Sequence, residues 1–167
     1  SGTTDITRTI VLGPLTQEMK DDFTMVLKSH IALAQAIFLE GSSGHYLDIL
    51  SRKPVWNRLK DFKHGTGHGI GFALSVHEGP HRIGFAPNNV ALKPGMMISN
   101  EPGYYKAGSF GVRSENIVLV REYDSSEYGN FYNFETISYA PFDLEAINHD
   151  MLDNNEKQWL NDYHDKV

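Results

Sequence analysis

The sequence predicts an α+β fold, and three observations carry that reading. Apolar residues recur at helical spacing after Thr16, the texture changes near Gly65 to glycine punctuation and short extended runs, and helical patterning returns after Pro141. Helices followed by a run of strands suit α+β better than alternating parallel units. A chain of 167 residues fits one domain, with residues 1–142 as its body and residues 143–167 as a helical tail.

The first segment, Thr4 to Leu12, is rich in β-branched residues and ends at Gly13-Pro14, so it reads as a strand. Thr16 is a candidate N-cap, and Met19, Phe23, Val26, Leu27, His30, Ala34, Ile37 and Phe38 mark one face of a helix that Gly41 stops. A second helix is expected over Gly44 to Leu59, interrupted by Pro54. Strands are expected at Phe72–Val76, Met96–Asn100, Val112–Arg121 and Tyr128–Tyr139. The proline- and asparagine-bearing stretch Phe85–Pro94 is a surface loop. Short helices follow near Leu144 and over Asn154–His164.

Composition narrows the function. Fifteen Lys and Arg against 21 Asp and Glu leave a net charge of −6, which disfavours nucleic acid and an anionic membrane surface as partners. Without cysteine there is no disulfide framework, thiolate metal site or cysteine nucleophile. Apolar runs fall far short of the ~20 residues that cross a bilayer. No basic start leads into an apolar core, so a cytoplasmic location is expected.

Four glycines and three histidines crowd between His64 and His77. They form no phosphate loop, having neither G-x-G-x-x-G nor a G-K-[ST] ending. His77-Glu78-Gly79-Pro80-His81 matches H-E-x-x-H, but that zinc motif needs both histidines on one helical face, and a Gly-Pro pair between them breaks a helix. The glycines around His68 instead let the backbone approach a neighbour closely, leaving His68 as the side chain in reach.

A constellation of carboxylates with one imidazole remains: Asp5, His68, Glu101 and Glu115. In a strand over Val112–Arg121, Arg113, Glu115, Ile117 and Leu119 share one face, and Met97, Ser99 and Glu101 share another. Buried carboxylates need a partner, and oxygen-rich ligation with a single His suits Mn²⁺ better than structural zinc. The alternative is that Glu115 pairs with Arg113 while His68 is a core residue. His30, on the buried helical stripe, is a core histidine.

Thr3-Thr4-Asp5-Ile6-Thr7-Arg8-Thr9, His64-Gly-Thr-Gly-His68-Gly, Val76-His77-Glu78-Gly79-Pro80, Asn100-Glu101-Pro102-Gly103-Tyr104-Tyr105 and Gly111-Val112-Arg113-Ser114-Glu115-Asn116 together resemble the aminopeptidase P (Xaa-Pro aminopeptidase) family of pita-bread metallopeptidases. The likeness runs essentially end to end. It implies a partial pita-bread fold, a curved and mostly antiparallel sheet with helices on its outer face. Residues 1–142 would be the C-terminal portion of its catalytic domain and 143–167 the helical tail of that domain.

The resemblance also implies chemistry. Family members hold two metal ions, usually Mn²⁺ with Zn²⁺ or Co²⁺ possible, on two Asp, one His and two Glu. Asp5, His68, Glu101 and Glu115 match four of these ligands, with Asp5 and Glu115 bridging. The family's first Asp stands further upstream than the four residues before Asp5 reach, so one ion site is expected complete and the other incomplete. Activity of this stretch alone is therefore in doubt.

In the family a metal-bound hydroxide attacks the Xaa-Pro bond, releasing the first residue of a peptide with proline second. Glu101 would shuttle the proton, His77 would hydrogen-bond the tetrahedral intermediate, and Arg113 would orient a carboxylate or the peptide. His64 would line the proline pocket, and Tyr104 and Tyr105 would wall the cleft or simply pack. A homodimer is expected, with the aromatic stretch Phe131–Phe142 as one candidate surface. The competing reading is a pita-bread module that binds peptides or proteins without catalysis.

Overall fold

A computed structural model gives the architecture, and it describes residues 3–167. In chain order the elements are α1 (Gln17–Ala34), β1 (Ile37–Leu39), α2 (Gly44–Trp56), β2 (Gly67–His68), β3 (Arg82–Ile83), β4 (Met97–Asn100), β5 (Gly103–Lys106), β6 (Phe110–Arg113), β7 (Asn116–Ser126), β8 (Gly129–Thr136) and α3 (Asn154–His164). Single 3-10 turns at Leu144–Ala146 and His149–Met151 lead into α3. The main sheet has the order β1-β8-β7-β4, and β2-β3 and β5-β6 form two small pairs. Every pairing of named strands is antiparallel. Among the described residues, no helix is long and apolar enough to cross a membrane.

Local chemistry explains the helices. The Thr16 hydroxyl accepts the Met19 N–H at the start of α1, satisfying one of the orphan donors of the first turn. Asp153 and Glu156 form a capping box at the start of α3. The buried stripe of α1, with Phe23, Val26, Leu27 and Ile31, meets Val55 of α2 and Phe142, Leu152, Leu160 and Tyr163 of the tail in one core cluster. A second core joins Leu33, Phe38, Ile83, Ile98, Val118, Val120, Tyr132 and Phe134 under the main sheet. The aromatic stretch Phe131–Phe142 thus spends Tyr132, Phe134 and Phe142 on the interior, leaving Ile137 and Tyr139 about two-fifths exposed at 40% and 37%.

Five sequence expectations need correction. The helical pattern after Thr16 stops at Ala34, because Ile37–Leu39 pairs with β8 and burial of Phe38 there outweighs the continuing period. Thr4–Leu12 makes only one ladder bridge, Thr7 to Glu115. Its remaining tethers are side-chain bonds, with Thr9 exchanging bonds with both backbone groups of Arg113 and the Val11 N–H donating to Asp143. Phe72–Val76 is no strand: Gly71 N–H bonds back to Ser75 O, Leu74 has φ of 64°, and Phe72 and Leu74 are both 78% exposed.

The strand expected over Val112–Arg121 is two strands. Ser114 N–H donates to Pro102 O and Glu115 N–H to Thr7 O, so the chain changes partners between Arg113 and Asn116. That break removes the shared face assigned to Arg113 and Glu115. By contrast α2 runs through Pro54, which sits in its last turn.

Candidate metal centre

Two glycines set the position of the central histidine. A Cβ on Gly67 would lie 1.9 Å from the carbonyl oxygen of Ser99, and one on Gly69 would lie 2.0 Å from that of Glu78. The bare ribbon therefore presses against β4, and His68 is the side chain it presents. The His68 N–H donates to Ser99 Oγ at 2.9 Å, and that hydroxyl donates to Glu101 Oε1 at 3.0 Å. Nδ1 of His68 lies 3.0 Å from Gly69 O. A proton on Nδ1 satisfies that carbonyl and leaves Nε2 as a lone pair, the usual arrangement of a metal-ligating imidazole.

That Nε2 stands 3.2 Å from Asp5 Oδ2 and 3.2 Å from Glu101 Oε1. Ligand atoms of Asp5, His68 and Glu115 all lie within 4.8 Å of one another, and Glu101 joins them through its contact with Nε2. Thr7 hydroxyl donates to Glu115 Oε2 beside the Thr7–Glu115 bridge. Burial, with the Glu101 and Asp5 charges next to it, pushes the Glu115 carboxyl up to about 7, against the Thr7 bond. Burial also opposes a charged His68, but its bonds to Glu101 and Gly69 and the two carboxylates outweigh burial and raise its pKa. Glu101 is held below the usual carboxylate range: burial works against this, and the bonds from His68 and Ser99 prevail.

Three carboxylates converging on one imidazole, one of them forced toward neutrality, fit a hard or borderline divalent cation, whose charge would reverse that repulsion. The set joins residues far apart in sequence, so the positions predicted for Asp5, His68, Glu101 and Glu115 do come together.

Of these four, His68 and Glu101 border a cleft of about 620 Å³ that His64, His77, Arg113, Arg52 and Phe85 also line. The exposed His77 ring lies 4.1 Å from that of His68, centroid to centroid. Arg113 Nη1 reaches Glu101 Oε2 at 3.5 Å, so its partner is Glu101 rather than Glu115. Burial and the Arg113 charge lower the pKa of His64, against its bond to Gly65 O. Tyr104 turns away from the cleft, under Lys60 Nζ at 4.6 Å from its ring centroid and against the first core, because alternation in β5 sends its neighbour the other way. Tyr105 instead meets His64 Nε2 at 2.9 Å and accepts from Arg113 Nε at 2.9 Å.

Sequence reading missed several supports. Ser99 has no signal beyond sharing a face with Glu101, and Thr7 is one of many threonines. Arg52 is 4% exposed, donates to Asp48 and to the carbonyls of Phe62 and His64, and its guanidinium carbon lies 4.1 Å over the Phe62 ring centroid. Asp48 in turn accepts the Thr66 hydroxyl at 2.5 Å. An Asp and an Arg four apart in a helix look like a surface pair until the fold buries them.

Comparison with known proteins agrees with this geometry. The pattern of metallopeptidase family M24 matches residues 1–122, and that of the C-terminal region of peptidase M24 matches residues 130–167. Aminopeptidase P1 of Lotus japonicus is 48% identical over 99% of this chain and 26% of its own length. A probable Xaa-Pro aminopeptidase P of Laccaria bicolor is 46% identical over 98% of this chain and 26% of its own. The crystal structure of X-prolyl aminopeptidase from Caenorhabditis elegans, described as a cytosolic enzyme with a di-nuclear active site, superposes with a TM-score of 0.93 at 38% identity, over 99% of this chain and 27% of that one. Xaa-Pro dipeptidase from Bacillus anthracis superposes at 0.67 with 33% identity, over 84% of this chain and 36% of that one. The chain thus spans about a quarter of the length of the curated relatives it matches, at 26%. With its pita-bread neighbours and its converging carboxylates and imidazole, the chain belongs to metallopeptidase family M24.

Proposed function

We propose that the protein is a metal-dependent aminopeptidase that releases the N-terminal residue from peptides with proline in second place. The observation that carries this reading is the meeting of Asp5, His68 and Glu115 within 4.8 Å, with Glu101 beside His68. Asp5, His68, Glu101 and Glu115 would hold the metal, Mn²⁺ by the resemblance, and these 167 residues complete one ion site of the pair. A bound divalent ion would lower the pKa of water and polarise the scissile carbonyl.

The remaining work belongs to side chains. Glu101, kept ionised by His68 and Ser99, accepts the proton of the attacking water and delivers it to the leaving proline nitrogen. His77 donates to the oxygen that gains charge in the tetrahedral state. Arg113, anchored by Tyr105, holds Glu101 in orientation. His64 borders the proline subsite, its depressed pKa favouring the neutral ring beside a pyrrolidine. A tertiary amide lacks an N–H, so selection rests on the shape of that ring.

Residues 1–142 and 143–167 act as one catalytic unit in this reading, which their shared core supports. A cytoplasmic location is in keeping with the cytosolic Caenorhabditis elegans relative. A homodimer is in keeping with the apolar Ile10 and Leu12, which are 63% and 91% exposed.

The test is hydrolysis of an Xaa-Pro peptide by the whole protein, with Mn²⁺ and after chelation. Metal-dependent release of the first residue, lost in Glu101→Gln, supports the reading. Binding of the peptide without cleavage would favour the non-catalytic module instead.

A further inference from the structure

The C-terminal tail reaches the candidate metal centre through one half-buried guanidinium. Arg8 has five N–H donors, and all five are engaged. Nε donates to Ala140 O at 3.0 Å, Nη1 to Thr7 O at 2.8 Å and Glu115 O at 2.7 Å, and Nη2 to Asn116 Oδ1 at 2.9 Å and Tyr163 Oη at 2.6 Å. The Phe142 ring lies 4.0 Å from its central carbon. Arg8 thus grips the backbone on both sides of the Thr7–Glu115 bridge, three residues beyond Asp5 and directly on Glu115.

The orientation of Arg8 is fixed by Tyr163, which is 4% exposed on α3. Its hydroxyl donates to Ala140 O at 2.8 Å and accepts from Arg8, from Asn116 Nδ2 at 2.9 Å and from Ala140 N at 3.0 Å. A hydroxyl has one proton and two lone pairs, so the three incoming N–H groups share two lone pairs and this oxygen has no capacity to spare. Four segments converge on it: the N-terminal stretch, the start of β7, the Ala140 loop and α3.

We infer that Tyr163 is a positioning residue for the Asp5–Glu115 ligand pair, acting through Arg8, so that the C-terminal helix sets the geometry of the metal centre. This rests on the metallopeptidase reading above. Without the hydroxyl, Nη2 loses its shortest partner and the guanidinium turns to find another. Nη1 then leaves the Thr7 and Glu115 carbonyls, and the two ligand-bearing segments part.

Tyr163→Phe keeps the ring and removes only the oxygen. In the metal-free whole protein, amide exchange at Glu115, whose N–H bonds to Thr7 O, should accelerate about tenfold or more. Titration of the same protein with Mn²⁺ should show affinity about 10–100-fold weaker. Arg8→Lys, which keeps the charge but not the fork, should do the same. Leu160→Ala, a buried neighbour on α3, should lower the melting temperature yet keep wild-type exchange and Mn²⁺ affinity well below it. Unchanged Glu115 exchange and Mn²⁺ affinity in Tyr163→Phe and Arg8→Lys overturn the inference, as does an equal loss in Leu160→Ala. A wild-type protein that binds no Mn²⁺ overturns the metallopeptidase reading, while the exchange comparison still decides the role of Tyr163.

Discussion

Glu101 Oε1 lies 3.2 Å from His68 Nε2 and accepts the hydroxyl of Ser99, so one carboxylate oxygen is shared between an imidazole and a serine. The other oxygen faces Arg113. This double tether keeps Glu101 charged in a buried place, as proton transfer requires. Replacement by glutamine keeps the shape and removes the basicity. Glu101→Gln should lower kcat by about 10²–10⁴-fold, with KM changed far less, in steady-state assays on an Xaa-Pro peptide.

Tyr105 joins His64 to Arg113 through its hydroxyl and is itself 45% exposed. Tyr105→Phe should leave folding intact and release both groups. The neutral bond to His64 alone contributes about 1 kcal/mol, so KM should rise at least roughly fivefold. Circular dichroism melting would check that stability is unchanged.

The buried Asp48–Arg52 pair supports the loop that carries His64. Leaving one charge of such a pair without its partner costs about 3–5 kcal/mol. Arg52→Met should therefore show a large drop in urea-unfolding stability. The double variant Arg52→Met/Asp48→Asn should be less damaging than the two single losses added together.

His30 is fully buried between Phe142 and Trp159, and its ring nitrogens have only weak polar contacts, with Ser114, Asn100 and Asn116, among the described residues. Burial, and the Arg8 charge, depress its pKa from 6.5 to about 3. The unfolded chain therefore binds a proton near pH 6.5 that the folded chain refuses until about pH 3. Stability conferred by the neutral ring is fully present above 6.5 and lost as pH falls toward 3, at up to about 1.4 kcal/mol per pH unit. His30→Leu should remove that one-proton slope from urea-unfolding stability measured between pH 6.5 and 5.

Much of this was legible in the sequence where local chemistry decides it. Thr16 and its period predicted the start of α1, and Asn154–His164 appeared as a helix from pattern alone. The candidate ligands were picked out by the resemblance, and Glu101 and Glu115 also as carboxylates amid apolar strand residues. What stayed hidden depends on distant partners. β1 exists because β8 is there to receive Ile37–Leu39, and Arg8 looks like any surface arginine until Ala140, Phe142 and Tyr163 arrive more than a hundred residues later. The alternation drawn through Arg113 and Glu115 failed for the same reason, since Pro102 and Thr7 claim the intervening amides.

The contact of Gly67 with Ser99 has a mechanical meaning. Because the two ribbons touch with no side chain between them, His68 and Glu101 ride on a single stiff body and cannot be drawn apart by loop motion. The mostly exposed stretch from Phe72 to Pro80 is tied back to that body through the Glu78 N–H bond to Gly69 O and the His77 ring beside His68.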